Sequence, residues 1–202
     1  MSTRKRLSPQ ESRLAALQAA RQLLIESGPQ SVTLKAVAAR IGRTHANLLH
    51  HFGSASDLQK ALAAFLAQTV CESVAGAFRA VGNGESTPRE VVDLVFDAFG
   101  ANGGGALVMW MLATGHEDAL DPVMEAIRNL VDALAEEYQG EGGDPRAMYE
   151  TTLPVVLLAL GDGLLGETLA RSLGVTDERP RDLAEWLIGD AIARQMGTVP
   201  AA

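Results

Sequence analysis

The chain has one cysteine, Cys71, in 202 residues. It therefore has no internal disulfide, and its thiol fits a reducing compartment. No segment alternates apolar and polar residues with the period of two that a half-buried strand requires, and no turn reads as a hairpin. Uncharged apolar runs stop at about 15 residues, short of the roughly 20 that a membrane helix needs. The basic first seven residues are not followed by an apolar signal core. No nucleophile, base and orienting group fall into a catalytic pattern. These absences predict a cytoplasmic globular protein with no membrane segment, no cofactor and no enzymatic activity.

The charge present is unevenly placed. The net charge of −8 conceals a basic start. Residues 1–60 hold nine Lys/Arg against three acids, a local +6, and the rest holds eight basic and twenty-two acidic residues, −14. A basic head on an acidic body is the electrostatic footprint of a polyanion-binding end.

The periodicity predicts an all-α chain of about nine helices: three short ones, a long connector, then five more. Ser8-Pro9-Gln10-Glu11 reads as a capped helix start, and Gly28-Pro29 as its end. Thr33 caps a second short helix that Gly42 closes. Thr44 or His45 opens a third, ending at Gly53. A fourth runs from about Ala55 to Gly82, and Thr87-Pro88 starts the next. Gly103-Gly104-Gly105 reads as a break that would let a helix pivot. The helix opened by Asp144-Pro145 is expected to be interrupted at Pro154. Gly140 to Gly143 reads as a loop.

Two short helices joined by Gly42-Arg43-Thr44 make a helix-turn-helix. In such a motif the second helix enters the major groove of double-stranded DNA. Arg43, Thr44, His45, Asn47 and His50 are its outward residues, with Asn suited to adenine and Arg to guanine. Thr33, Lys35, Thr44, Arg43 and His51 suit phosphates. The arm Arg4-Lys5-Arg6 can follow the backbone or enter a minor groove. His45, His50 and His51 do not make a metal site: neighbouring positions on a helix diverge by about 100°, and no Cys or carboxylate joins them.

Val32 to Leu58, VTLKAVAARIGRTHANLLHHFGSASDL, resembles the DNA-binding signature of the TetR/AcrR family of regulators. The shared elements are Val32-Thr33, Ala38-Ala39-Arg40-Ile41-Gly42, His51-Phe52 and Leu58. The resemblance implies residues 1–54 as a DNA-binding domain and 55–202 as a helical ligand-binding and dimerisation domain. It further implies a homodimer, probing a palindromic operator as a repressor until a small-molecule effector releases it. Leu49 stands where the family often has a phosphate-contacting Tyr, and Ala55 where it often has Lys. Both changes imply weaker or more salt-sensitive operator binding. A relative that binds DNA without a small-molecule effector is the alternative within this architecture.

The stretch Phe96 to Met124 gathers Phe96, Phe99, Met109, Trp110, His116 and Met124, side chains that suit an adaptable apolar effector site. Nearby Asp97, Glu117 and Asp118 leave room for a cationic ligand. The resemblance places a dimer interface on the last two long helices, with Leu157, Leu160, Gly163, Leu164, Gly166 and Trp186 in it. Gly161, Gly163 and Gly166 also match the dinucleotide string GxGxxG, the one feature favouring an enzyme. No alternating strand and helix pattern surrounds it, so close helix packing is the preferred reading.

Overall fold

A computed structural model describes residues 8–114, 117–139 and 145–195. Among them lie nine helices and no strand. They are α1 Pro9–Ser27, α2 Leu34–Arg40, α3 His45–Phe52, α4 Ala55–Gly82, α5 Pro88–Phe99, α6 Gly104–Ala113, α7 Asp121–Gln139, α8 Pro145–Leu173 and α9 Arg179–Gln195. Tight turns at Pro29–Ser31 and Glu117–Leu120 join them. Gly140 to Gly143, the arm Arg4-Lys5-Arg6 and His116 lie outside the described residues.

Local chemistry sets the first boundaries. The Ser8 hydroxyl accepts from the Glu11 N–H at 3.1 Å, and the Glu11 carboxylate accepts from the Ser8 N–H at 2.6 Å. This capping box satisfies two donors that the first turn would otherwise leave open. Gly28 takes φ 78° and ends α1. Thr33, Thr44 and Ser54 each cap the helix that follows by accepting from an N–H three residues on.

Two apolar clusters hold the chain together. The first unites α1, α2 and α3 through Leu17, Leu24, Val37, Leu48 and Phe52. It does not stop at residue 54: Leu58 and Leu62 of α4, Leu107 and Met111 of α6, and Val123 of α7 share it. The second joins α4, α5, α7, α8 and α9 around Phe78, Val92, Phe96, Leu134, Val155 and Ile188. Helix α4 contributes to both and forms the spine between them.

Two boundaries differ from the sequence reading. The triple glycine is a close-packing device rather than a pivot. Gly103 caps α6 at φ 79°, while Gly104 and Gly105 lie inside the helix. A Cβ on Gly104 would meet the Ala98 carbonyl oxygen at 2.5 Å, and one on Gly105 the Phe99 carbonyl oxygen at 2.8 Å. Pro154 does not interrupt α8. The irregularity falls instead at Asp162–Gly166, which forms a π turn.

Helices α4 and α8 are long and apolar enough, by length and composition, to cross a membrane. Short uninterrupted runs in the sequence did not reveal this. In α4 the apolar residues are used in packing, since Leu58, Leu62, Ala63, Val74 and Phe78 are buried. Helix α8 buries Met148, Val155 and Ala159 and leaves a second apolar face open.

Candidate nucleic-acid interface and ligand cavity

Helix α3, the second helix of the helix-turn-helix, is anchored by its apolar side. Leu48 and Phe52 are buried, which turns Arg43, Thr44, His45 and His50 to the exterior and leaves Asn47 and His51 half-buried at the rim. Thr33 and Lys35, at the start of α2, are exposed as well. Arg13 of α1 fixes the far end of α3. It donates to the His51 carbonyl at 3.0 Å, and its guanidinium lies 4.6 Å from the centroid of the Phe52 ring. Arg40 is tied to Glu26 at 2.6 Å, which ties α2 to α1. Two of the head's cations are thus spent on its own architecture, while Lys35 and Arg43 stand exposed. Thr44 has a double role: its hydroxyl caps α3 at 3.2 Å from the Asn47 N–H and also faces outward. The His50 and His51 rings stand 5.8 Å apart and tilted. No cluster of three metal-binding side chains occurs among the described residues.

The body holds a partly open cavity of about 190 Å³. Its wall is drawn from α1 and from α4 to α9, with Leu66, Val70, Phe99, Leu107, Ile127 and Val155 typical of it. Of the six side chains expected at the effector site, Phe99 lines the cavity. Phe96 is buried in the second core, with the Arg181 guanidinium 5.2 Å from its centroid. Met109 and Met124 are 46% and 52% exposed, and Trp110 is half-buried; none of the three lines the cavity. Helix α6 turns Leu107 and Val108 inward instead. The wall residues missed by sequence reasoning, above all those of α4, α7 and α8, are ordinary aliphatic side chains. They carry no signal that separates cavity from core.

Asp97 and Asp118, two of the acids near this region, are already paired. Asp97 accepts from Arg181 at 2.8 Å, and Asp118 from Lys60 at 3.0 Å. Arg181 also meets Asp93 at 2.6 Å, and Arg89 bridges Asp93 at 3.1 Å to Glu178 and to Asp182 at 3.4 Å. This network clamps α5 to α9. Partial burial pushes the Asp93 carboxyl up, but hydrogen bonds from Arg181 and Arg89 outweigh it and hold the group below the usual carboxylate range.

The last two helices present apolar surface. Leu157 is 58%, Leu165 64% and Trp186 62% exposed, with Leu153, Leu169 and Leu173 also open. The other expected interface residues face inward or act within the chain. Leu160 and Leu164 approach Gly105 of α6. Gly163 sits against α5, where a Cβ would meet the Phe99 carbonyl carbon and oxygen at 2.8 Å. Gly166 lies under the Asp162 side chain. The glycine string is therefore embedded in a continuous helix, with no strand leading into it, and close packing explains it.

Residues 16–62 match the family model for bacterial regulatory proteins, tetR family. Several solved structures share the whole architecture. A protein from Rhodococcus sp. assigned to the TetR-family transcriptional regulators superposes at TM-score 0.60 with 18% identity, covering 91% of this chain and 99% of that one. A transcriptional regulator assigned from Saccharomonospora viridis, in complex with choline, gives 0.60 and 16%, over 89% and 96%. The multidrug binding protein EbrR, complexed with imidazole, gives 0.55 and 21%, over 95% and 98%. No curated protein matches the sequence. At these identities the likeness is one of fold.

Proposed function

We propose, for a chain whose N-terminal segment belongs to the TetR family of bacterial regulators, that it is a dimeric repressor released from a palindromic operator by a small apolar or amphipathic molecule. The observation that carries this reading is the pairing of two features. An exposed recognition surface, Arg43 to His50, stands on a family DNA-binding segment. That segment shares one apolar core with a body that holds a cavity.

Two copies paired through Leu157, Leu165, Leu169 and Trp186 would bury the open face of α8 and α9. They would present two recognition helices to successive major grooves about 34 Å apart. Within each head Asn47 and Arg43 read bases, while Thr33, Lys35 and Thr44 hold phosphates. The arm Arg4-Lys5-Arg6 adds backbone or minor-groove contacts. Helix α4 is the lever, because both cores grip it. A ligand that fits the cavity better at one α4 position than another shifts the population of head spacings, and with it operator affinity. A regulator of this kind works in the cytoplasm, where its DNA lies.

The cavity favours a small-molecule effector over purely protein-mediated control. Footprinting of the purified protein on genomic fragments tests the proposal. A protected palindrome with half-sites one helical turn apart, or a multiple of it, is expected. Protection without symmetry, or none at any salt concentration, overturns it.

A further inference from the structure

We infer that the cavity takes a small apolar carboxylate, with its acid group on Arg21 of α1 and its hydrocarbon part among Leu66, Phe99 and Leu107. This inference rests on the effector reading above and names the chemistry of that effector.

The charge of the wall is one-sided. Among the described residues Arg21 is the one charged side chain that lines the cavity. Its guanidinium donates from Nη2 to the Asn102 side-chain oxygen at 2.9 Å. That partner is neutral, and no carboxylate pairs with Arg21 among the described residues. Its Nε is buried and has no hydrogen-bond partner, a condition found for no other side-chain nitrogen or oxygen there. Such a donor is costly to leave unpaired, and a guanidinium with donors to spare beside an apolar cavity points to an absent acceptor. A planar guanidinium is built to donate two parallel bonds to a carboxylate.

The alternatives fit less well. A cationic ligand would meet Arg21 with no carboxylate among the described lining residues to offset it, and Asp97 and Asp118 nearby are held by Arg181 and Lys60. Cys71 adds no competing anion, because burial pushes its thiol up. A phosphate would need more polar partners than Arg21, Asn102 and the threonines Thr69, Thr151 and Thr152 present on an otherwise apolar wall. The volume, about 190 Å³, is somewhat larger than an engineered cavity of about 150 Å³ that holds benzene. A single ring or short alkyl chain with one acid group is therefore the right scale.

The placement also gives the ligand a direct grip on the head. Arg21 belongs to α1, whereas Asn102 belongs to the connection between α5 and α6, 81 residues away in sequence. An acid group bound at Arg21 competes with the Asn102 bond across that junction. Occupancy is thereby linked to the position of α1 as well as of α4.

The test uses the full chain and three probes of matched shape: phenylacetate, 2-phenylethanol and 2-phenylethylamine. Thermal shift and calorimetry are expected to show phenylacetate binding about tenfold or more tightly than the alcohol, with the amine weakest. Arg21→Gln, which can still donate to Asn102, should erase the preference for the acid. Phenylacetate should also release operator DNA from the wild type but not from Arg21→Gln. Equal binding of acid and alcohol, preference for the amine, or an unchanged acid preference in Arg21→Gln overturns the inference and leaves the effector reading standing. If none of the three probes binds, the inference fails as well. The comparison of probes on the wild type decides the matter even if the variant does not fold.

Discussion

Arg13, Arg21 and Arg43 contribute equally to the basic charge of the head, and the fold gives each a different task. Arg13 holds the end of α3 through the His51 carbonyl and the Phe52 ring. Arg21 faces the cavity. Arg43 stands free of both, exposed at the turn into α3. At this scale we expect Asn47→Ala to relax sequence preference at one base position, at a cost of about 1–3 kcal/mol against the best site. Lys35→Ala and Arg4→Ala should weaken binding to every sequence alike. Binding of a randomised duplex library to each variant measures both effects; uniform loss in Asn47→Ala removes the base-reading role. The exposure of Arg43 and Lys35 was legible as sequence because it depends on helix register alone. The roles of Arg13 and Arg21 were not, since their partners lie 38 and 81 residues away.

Helix ends were equally legible. A cap needs only a side chain and an N–H three residues apart, and Ser8, Thr33 and Thr44 supply it as expected. Thr44→Ala should cost about 1 kcal/mol of stability, read by urea titration. The glycines behave differently, because a neighbouring helix decides what each one means. Gly163→Ala places a methyl 2.8 Å from the Phe99 backbone, so α8 must move away from α5. A loss of about 1–3 kcal/mol is expected. Gly161→Ala, two residues earlier in the same string, meets nothing within 4 Å at a helical φ of −62°. It should gain about 0.5–1 kcal/mol. Equal effects from both would mean that the close approach has no energetic weight. The clamp between α5 and α9 adds a pH dependence. The Asp93 carboxyl is held below its ordinary value, so its contribution is complete above the unfolded value of about 4 and is lost as pH falls through the lower folded value. The stability gap between wild type and Asp93→Asn should therefore be widest near neutrality and close below about pH 4. A gap independent of pH contradicts the pairing.

For the whole molecule, charge asymmetry and the open apolar face matter most. A head of +6 on a body of −14 should bind DNA with an affinity that falls steeply as salt rises. Leu49 and Ala55, in place of the family's frequent Tyr and Lys, should lower the affinity itself, since each gives up a backbone contact. Trp186→Glu together with Leu157→Glu should convert the proposed dimer to a monomer in analytical ultracentrifugation. Operator affinity should fall by more than tenfold. A dimer that survives both substitutions places its interface elsewhere.

By itself the sequence determined the all-α class, the helix-turn-helix, its outward side chains and the division of charge. Each of these follows from short-range periodicity, capping and residue type. Tertiary structure decided which apolar residues line a cavity and which merely fill a core, as the fates of Phe99 and Phe96 show. It also set Gly163 against a helix of its own chain and Arg21 against the body. The reason is physical: burial and close approach are properties of pairs of helices, and those pairs form only when distant segments meet.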